Sequence, residues 1–332
     1  MSTTLKDIAE ITGFSINTVS RALRGDKKIS EATRGIIIHT AKEKEYIPNA
    51  LASSMRSSHS KTIGVITADS SNPFFSEVSK GIVEMADKEG YHLLLGSTEE
   101  SLKKEKELVQ IFLARKVDGL IIMPVFEMSE EHLAQYRNLR IPFIFPGRYL
   151  PTLENHSILH SDYEGQKQVF DYLLDAGHKK ILYLKGPDKV SNTTERIRGM
   201  EASFSEHGIK PDEQYILEVS GHIEEGYASV NQALNRGLDF TAIACFNDMT
   251  AMGVLKSLSE NDLAVPAQIE VIGYDNLYLS QFLQPALTTV DVPKFRLGYT
   301  AMESLIAHIE DPSLPYIKQE IPTRLLYRET TR

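Results

Sequence analysis

The amino-acid sequence predicts an all-α helix-turn-helix head followed by an α/β core made of two doubly wound parallel-sheet lobes. Three observations support this prediction. The N-terminal residues show helical periodicity only, whereas the chain from residue 62 onward alternates apolar strand-like runs with amphipathic helical stretches. The strands are too numerous for one comfortable sheet. With 332 residues, the chain is long enough for two or three domains, each with its own core.

The first predicted element is a pair of short helices over residues 4–24, TLKDIAEITGFSINTVSRALR. Thr4 is a suitable N-cap for the first helix, and Asp7 three residues later completes a weak capping box. Gly13 interrupts the helical pattern and supplies the permissive backbone that a sharp turn between helices requires. Ser15 is the predicted cap of the second helix. This spacing is typical of a helix-turn-helix.

The second helix of this pair has a polar outer face. Helical spacing assigns to its inner face Val19, Ala22 and Leu23, and to its outer face Ile16, Asn17, Ser20, Arg21 and Arg24. Asparagine pairs bidentately with adenine and arginine with guanine in the major groove, and isoleucine can contact a thymine methyl group. The N-terminal residues of the second helix of a helix-turn-helix lie against base edges. The pattern favours DNA binding over the alternative, a small helical hairpin with a solvated polar face.

The charge of the chain is divided unevenly. The net charge of -9 looks unsuitable for a DNA-binding protein. However, residues 1–60 carry nine basic and six acidic residues, whereas the remainder carries 27 basic and 39 acidic residues. A basic head on an acidic body indicates that phosphate contact is confined to one end.

A third helix and a hinge are predicted to follow. The helix spans residues 30–44, and its inward positions are Ile37, Ile38 and Ala41. Pro48 ends this helix, and Asn49 can cap a new one of about two turns, ALASSMR, before a serine-rich linker. So short a helix is marginal by itself, so we expect it to fold against a partner. An ordinary interdomain linker is the alternative, which composition alone slightly favours.

These motifs together resemble the lactose-repressor (LacI/GalR) family of bacterial transcription regulators. The resemblance rests on the helix TLKDIA, the run TVSRAL, and YIPNALA about 22 residues further on. It continues through the body in NPFF (72–75), VDGLI (117–121), ERIRG (195–199), FND (246–248), VIGYDN (271–276) and PALTTV (285–290). It implies a dimer whose recognition helices enter two major grooves of a near-palindromic operator, while its hinge helices order in the central minor groove.

The resemblance also implies which residues contact DNA. Ile16, Asn17 and Arg21 correspond to the usual base-reading positions. Met55 stands where the family usually has a leucine that wedges between bases, and methionine is also a workable wedge. The expected DNA-binding residues are Thr4, Leu5, Ser15, Ile16, Asn17, Thr18, Ser20, Arg21, Asn49, Ala52 and Met55.

Repeated strand and helix patterns make up the body. Strands are predicted over 62–67, 91–97, 119–124, 141–146, 180–186, 215–219, 242–246 and 269–275, with two short strands within 316–322 and 323–329. Helices are predicted over 75–89, 101–115, 165–176, 195–207, 225–236 and 248–260, with a final one within 291–310. Two lobes of this kind with a cleft between them form the periplasmic-binding-protein architecture, in which ligands lie where the carboxyl ends of the strands face each other.

Aromatic and polar residues follow several of the predicted strands. They are Phe74, Phe75, Arg148, Asn192, Arg196, Asn247 and Asp275. An aromatic face with Arg, Asn and Asp suits a polyhydroxylated or heterocyclic small molecule. The alternatives are core packing for the phenylalanines, a surface charge for Arg196 and a turn cap for Asp275. The resemblance favours Arg196 and Asp275 as effector contacts and adds Asp162.

Two differences from the purine-binding branch of the family narrow the range of effectors that we expect. Gly221 stands near where that branch has a second stacking aromatic residue, and Val190 stands where it has an arginine. We therefore expect a sugar, sugar phosphate or related metabolite, and Arg148 is compatible with a phosphorylated ligand. The resemblance also implies that binding of the effector alters operator affinity, with a sign that the sequence does not give.

The predicted domains follow from these assignments. They are a DNA-binding domain (1–47), a hinge helix and linker (48–61) and an effector-binding and dimerisation core (62–332), whose first lobe is about 62–160 plus 292–321 and whose second lobe is about 161–291 plus 322–330. The family's tetramers carry a leucine heptad extension, and none is visible after residue 330. We therefore expect a homodimer.

Other function classes lack support in the sequence. The single cysteine, Cys245, excludes a disulfide framework and suits a reducing compartment. We find no signal peptide, no apolar run long enough to span a bilayer, no G-x-S-x-G elbow, no P-loop, no G-x-G-x-x-G and no Cys/His metal spacing. We expect a cytoplasmic, nucleoid-associated bacterial regulator without a cofactor, and neither an enzyme nor a transport protein.

Overall fold

The structure, a computed structural model, describes residues 3–47, 59–127, 129–188 and 190–332. Backbone contacts divide the chain into two compact units, Met1–Ser60 and Lys61–Arg332. Within the described ranges, no helix is both long enough and apolar enough to cross a membrane. The two units are described separately below.

The first unit contains three helices: α1 (Leu5–Thr12), α2 (Ile16–Leu23) and α3 (Glu31–Glu43). The predicted caps are confirmed. The Thr4 hydroxyl accepts from the Asp7 amide while the Asp7 carboxylate accepts from the Thr4 amide. Gly13 ends α1 in the left-handed region at φ 73°, where a side chain would be strained. Ser15 caps α2 by accepting from the amide of Thr18 at 3.1 Å.

A small apolar core holds these helices together. Its buried members are Ile8, Ala9, Val19, Ala22, Ile37 and Ala41. Two predictions for this unit are wrong. Ile38 is 47% exposed because one step along a helix rotates it away from the face that Ile37 and Ala41 share. Ser20, predicted to point outward, is 8% exposed because its short side chain is covered by its neighbours.

The second unit contains two six-stranded sheets. The first has the order β11-β5-β4-β3-β1-β2 and is parallel throughout. The second has the order β12-β10-β9-β8-β6-β7, in which only the β10–β12 pair is antiparallel. The strands are β1 (Thr62–Thr67), β2 (His92–Ser97), β3 (Gly119–Ile122), β4 (Phe143–Pro146), β5 (Ser157–His160), β6 (Ile181–Lys185), β7 (Ile216–Glu218), β8 (Ala242–Cys245), β9 (Glu270–Asp275), β10 (Thr288–Asp291), β11 (Gln319–Ile321) and β12 (Arg324–Leu326).

Helices cover both faces of each sheet, as parallel sheets require. They are α4 (Pro73–Glu89), α5 (Leu102–Ala114), α6 (Glu130–Arg137), α7 (Asp162–Asp175), α8 (Ser191–Glu206), α9 (Ile223–Asn235), α10 (Asp248–Glu260) and α11 (Lys294–Glu310). On the first sheet, α4 and α11 lie over one apolar core and α5 and α6 over another. On the second, α9 and α10 cover one face and α7 and α8 the other.

Glycines allow α4 and α11 to pack backbone against backbone. A Cβ added to Gly81 would lie 2.0 Å from the carbonyl oxygen of Phe295, and one added to Gly298 would lie 1.9 Å from that of Val78. Neither position has room for a side chain. This pair of helices therefore forms a tightly packed layer over the first sheet.

Three elements of the second unit were not predicted. Strand β5 and strand β10 are only four residues long and contain Ser, His and Thr, so neither forms an apolar run that the pattern reveals. Helix α6, EEHLAQYR, is predominantly polar. The predicted strands and helices elsewhere are present, with boundaries shifted by a few residues. Alternating strands and helices thus produce the two parallel-sheet lobes that the sequence predicts.

The chain passes between the two sheets three times. The passages follow β5, β10 and β11. Two of them are joined by hydrogen bonds, from the amide of Ser161 to the carbonyl of Ile321 and from the hydroxyl of Thr323 to the carbonyl of Ser161, both at 2.9 Å.

Candidate functional site

A small cavity lies where the carboxyl ends of strands from both lobes meet. Seven of the eight residues predicted as effector contacts line it: Phe74, Phe75, Arg148, Asn192, Arg196, Asn247 and Asp275. The eighth, Asp162, is not part of the lining. A small cavity with aromatic walls and a few polar groups is typical of small-molecule sites.

Arg196 is the most enclosed cation of this cavity, with 2% of its surface exposed. Its Nε donates to Oδ1 of Asp162 at 2.6 Å, and its Nη1 donates to the carbonyl of Phe246 at 2.6 Å. The guanidinium also stacks on the ring of Tyr274, 3.5 Å from its centroid. Asp162 therefore lies behind Arg196 and holds it. The surface-charge alternative for Arg196 is wrong.

The pKa values of this pair reflect their contact. Burial alone would raise the pKa of Asp162, but the nearby His160 and Arg196 more than offset that effect and lower it. Burial alone would lower the pKa of Arg196, but Asp162 and other acidic neighbours raise it. The pair is therefore an ion pair at neutral pH.

Arg148 is also already paired. Its Nη1 donates to Oε1 of Glu100 at 3.0 Å and to the carbonyl of Pro124 at 2.6 Å. Its guanidinium lies over the ring of Phe126, 4.3 Å from the centroid. The charge of Arg148 is thus balanced by a carboxylate from the same lobe.

Asp275 ends β9 in a strained backbone conformation, with φ at 104°. No hydrogen bond from the described residues reaches its carboxylate, so the turn-cap alternative is wrong. Burial raises the pKa of Asp275 to about 8, although Arg196 partly offsets it. A strained acidic residue without a hydrogen-bond partner in a cavity is typical of a functional position.

Asn192 and Asn247 line the cavity and also make hydrogen bonds within the protein. Oδ1 of Asn247 accepts from the amide and the hydroxyl of Thr250 and so caps α10, while its Nδ2 donates to the carbonyl of Gly221 at 3.0 Å. Oδ1 of Asn192 accepts from the next amide, that of Thr193, at 2.9 Å. Their remaining amide protons are the groups that a ligand could use.

The two phenylalanines form an edge-to-face pair with ring centroids 5.4 Å apart. Phe75 is buried in the core of the first lobe, as the core-packing alternative requires. Phe74 is only partly buried and packs against the cores of both lobes. Its position makes it sensitive to any change in the distance between the lobes.

Several lining residues were not predicted: Asn72, Met123, Pro146, Gly147, His160 and Phe246. Each follows or ends a strand, which is the signal that could have found them. His160 is the most informative, because it is 3% exposed and its Nδ1 has no hydrogen-bond partner within the part of the chain that the structure describes. Its Nε2 lies 3.2 Å from Oδ1 of Asp162. It was missed because β5, which it ends, was missed.

The first unit presents part of the predicted DNA-contacting face. Thr4, Ser15, Ile16 and Asn17 are exposed, Leu5, Thr18 and Arg21 are half-buried, and Ser20 is buried. Ile16 has 49% of its surface exposed, which a base contact requires, although Ile11 and Ile36 of the same unit are exposed to a similar degree. The remaining predicted DNA contacts, Asn49, Ala52 and Met55, lie outside the described residues.

Arg21 is oriented by an acidic neighbour. Its Nε donates to Oδ2 of Asp26 at 2.8 Å. Asp26 in turn accepts from the amide of Lys28, and these two contacts lower the pKa of Asp26. No contact within the described residues uses the two terminal nitrogens of Arg21, which are the atoms that pair bidentately with a guanine.

The sequences of both units match known protein families. Residues 4–49 match the profile described as bacterial regulatory proteins, lacI family, and residues 60–327 match periplasmic binding proteins and sugar binding domain of LacI family. The HTH-type transcriptional repressor PurR of Aliivibrio salmonicida is 32% identical over 93% of this chain and 92% of that protein. The repressor CytR of Escherichia coli is 30% identical over 99% and 96%, respectively.

A solved structure extends the similarity to three dimensions. The lac repressor dimer bound to operator and the anti-inducer ONPF has a TM-score of 0.89 and 27% identity. The alignment covers 100% of this chain and 99% of that one. The structural similarity therefore includes both the helix-turn-helix unit and the two-lobed unit.

Proposed function

Because the chain belongs to the LacI family of bacterial regulatory proteins, we propose that it represses transcription as a homodimer on a palindromic operator under the control of a small effector. It is a DNA-binding transcriptional repressor with a sugar-binding type of domain. The dimer, the operator symmetry and the class of effector are the proposal. We assign residues 1–47 to DNA binding, 48–61 to the hinge and 62–332 to effector binding and dimerisation.

The observation that carries the DNA-binding part is the outer face of α2. Ile16 and Asn17 are exposed at its N-terminus, and Asp26 orients Arg21 without using its terminal nitrogens. A helix that enters the major groove needs this combination of an apolar contact, an amide and a free guanidinium edge. Asn49, Ala52 and Met55 are proposed to contact the minor groove from the hinge.

Exposed apolar side chains on the second unit support a homodimer. Large examples are Val83, Leu95, Tyr278, Leu279 and Phe282. Leu95 and Tyr278 each have about two thirds of their surface exposed, at 64% and 67%. Val83 and Leu95 line one surface groove, and the ring centroids of Tyr278 and Phe282 are 5.2 Å apart, so these residues form patches of the kind that favours an interface with another protein surface. A second copy of the chain is the simplest partner.

The proposed place of action is the cytoplasm, at the nucleoid. A DNA-binding regulator of this kind acts there without a membrane partner.

The effector is proposed to be a sugar, a sugar phosphate or a related metabolite in the cavity. Its binding would alter the relative orientation of the lobes, and through the hinge the affinity for the operator. A coupling free energy of about 1 to 3 kcal/mol would change that affinity several-fold to hundred-fold. The proposed contacts are Phe74, Phe75, Arg148, Asn192, Arg196, Asn247 and Asp275, with Asp162 acting through Arg196.

DNA binding can be tested without knowing the operator. Sequences are selected from random DNA with the full chain, and the affinity of the wild type and Arg21→Ala for the selected site and for random DNA is measured by fluorescence anisotropy. We expect a palindromic consensus and loss of discrimination in the variant. Lys6→Ala, a control on an exposed lysine, should retain discrimination. Equal discrimination by wild type and Arg21→Ala would contradict the proposed role of α2.

Effector control can be tested separately. A panel of metabolites is screened by thermal unfolding, since a ligand of the native state raises the midpoint. The operator affinity is then measured at several salt concentrations with and without each compound that raises the midpoint. We expect a several-fold change in one direction. Equal affinity under all conditions would contradict effector control but leave the repressor assignment intact.

A further inference from the structure

The two arginines of the cavity are already paired within the protein. Arg196 donates to Asp162 and to the carbonyl of Phe246, and Arg148 donates to Glu100 and to the carbonyl of Pro124. These are the two cationic side chains of the lining, apart from the histidine ring. Each guanidinium therefore has a carboxylate partner before any ligand enters.

Two polar groups of the same cavity lack hydrogen-bond partners among the described residues. His160 is buried, and its Nδ1 accepts and donates no hydrogen bond within the described residues. The carboxylate of Asp275, on the other lobe, also receives no hydrogen bond from them. Nε2 of His160 also makes no hydrogen bond within the described residues, but it lies 3.2 Å from Oδ1 of Asp162. In the tautomer that carries its proton on Nε2, next to that carboxylate, Nδ1 is an acceptor. A buried polar atom in this position is costly unless a ligand or water pairs with it.

We propose that the cavity selects an uncharged or amine-bearing polyhydroxyl compound, such as a free sugar or an amino sugar, that donates a hydrogen bond to Nδ1 of His160, and that it excludes phosphate esters of such compounds. This inference rests on the proposed function and narrows its effector class. A hydroxyl supplies the donor that Nδ1 of His160 lacks, and a second hydroxyl or an amine can pair with the carboxyl group of Asp275. A phosphoryl group would bring two negative charges to a buried wall whose guanidinium groups are already neutralised, and burial of unpaired charge is unfavourable.

Inorganic phosphate is a probe that needs no knowledge of the ligand. Thermal unfolding of the full chain is measured in phosphate and in chloride at equal ionic strength for the wild type, Arg148→Met, Glu100→Gln and the double variant. Binding of phosphate to other parts of the chain affects all four alike, so the differences between variants report the cavity. We expect wild type and Arg148→Met to respond equally.

The Glu100→Gln variant is the positive control of this experiment. It releases Arg148 from its carboxylate partner, so we expect phosphate to raise its midpoint beyond that of the wild type. The double variant should lose this additional rise. A phosphate-dependent rise in the wild type that Arg148→Met abolishes would overturn the proposal, because it would show that the paired arginine still binds a phosphoryl group.

A second experiment tests His160 with matched compounds. Ribose, glucose and glucosamine are compared with their phosphate esters by the shift in unfolding midpoint of the wild type, His160→Phe and His160→Gln. We expect a free compound to shift the wild type more than its ester does, and His160→Phe to lose the shift. His160→Gln keeps a polar group and should respond in between. An ester that acts more strongly than its parent, or equal responses of wild type and His160→Phe, would overturn the proposal.

The two proposals fail in different ways. When no compound of the panel shifts the midpoint of the wild type, the choice of a free sugar or amino sugar is overturned, and the phosphate experiment then decides only whether the cavity excludes a phosphoryl group. Operator binding is measured on the same preparations. Its loss of sequence preference would contradict the proposed function, whereas a response to esters with operator binding intact would overturn the effector class alone.

Discussion

The Nε atom of Arg21 donates to the carboxylate of Asp26 at 2.8 Å, which joins the outer face of α2 to the turn that follows it. Both side chains are about one third exposed, so the contact contributes little to the stability of the fold. Its main effect is to orient the side chain of Arg21. It uses one edge of the guanidinium and leaves the other for a partner. An acidic residue beside a DNA-binding helix can therefore assist binding despite its charge.

Replacement of Asp26 by Ala should weaken operator binding although it removes a negative charge. Arg21 would lose its orientation, and we expect an affinity for the selected operator about two- to fivefold lower, with little change for random DNA. Anisotropy titrations at fixed salt measure both. Glu10→Ala, which removes another exposed carboxylate from the same unit, is the matched control. Tighter operator binding by Asp26→Ala would show that charge outweighs orientation.

Removal of one partner of the buried Arg196–Asp162 pair should destabilise the second unit strongly. Asp162→Ala leaves a buried guanidinium without its carboxylate, and we expect a loss of about 3 to 5 kcal/mol in the free energy of unfolding. Denaturant titration measures it. The control is Asp239→Ala, which breaks the exposed pair with Lys180 at 2.7 Å and should cost less than about 1 kcal/mol. Similar losses in both variants would contradict the central role of the buried pair.

The stability of the ligand-free protein should fall as pH rises towards 8. The pKa of Asp275 is about 8 in the folded chain, above its ordinary value of 3.8. Its contribution to stability is therefore fully present below pH 3.8 and is lost as pH rises through 8. Asp248, whose burial raises its pKa to about 6, adds the same effect at lower pH.

Asp275→Asn isolates this contribution. Between pH 6.5 and 7.5 the wild type should lose up to about 1.4 kcal/mol more than the variant, since this is the value of one pKa unit. Denaturant midpoints across this range measure the difference. Parallel stability curves for the two proteins would show that Asp275 is ionised throughout.

Glycine-to-alanine substitutions should have opposite effects at two helical positions. Gly81→Ala places a Cβ 2.0 Å from the carbonyl oxygen of Phe295 and should destabilise the protein by more than about 3 kcal/mol or prevent folding. Gly35→Ala in α3 meets nothing within 4 Å and should stabilise the first unit by about 0.5 to 1 kcal/mol. Separate unfolding transitions of the two units measure both effects. Equal outcomes would contradict the close contact of α4 with α11.

The cavity could be predicted from the sequence wherever a clear apolar strand preceded the residue. Asn247 follows β8 and Asp275 ends β9, and both strands are evident as apolar runs. His160 could not be found in this way because SILH has only two apolar residues, flanked by Ser157 and His160, which is too short a run to indicate a strand. The position of a residue relative to a strand end is thus visible in sequence only when the strand itself is.

The pairing of charged side chains around the cavity could not be predicted from the sequence, for a different reason. Asp162 and Arg196 are 34 residues apart, and each was predicted to contact the effector independently. Their mutual hydrogen bond places Asp162 behind the cavity wall, and the same is true of Glu100 behind Arg148. Which charges remain for a ligand depends on tertiary contacts of this kind, which no local pattern records.

The three passages of the chain between the lobes have a mechanical consequence. Ser161 is bonded to both Ile321 and Thr323, so two of the passages are tied together at their midpoints. Segments tied together in this way can serve as a hinge between the lobes. In the proposed mechanism, a ligand that draws the lobes together close to these passages turns one lobe about them. The far ends of the lobes travel a proportionally longer arc, so a displacement of atomic size at the cavity is enlarged with distance from it.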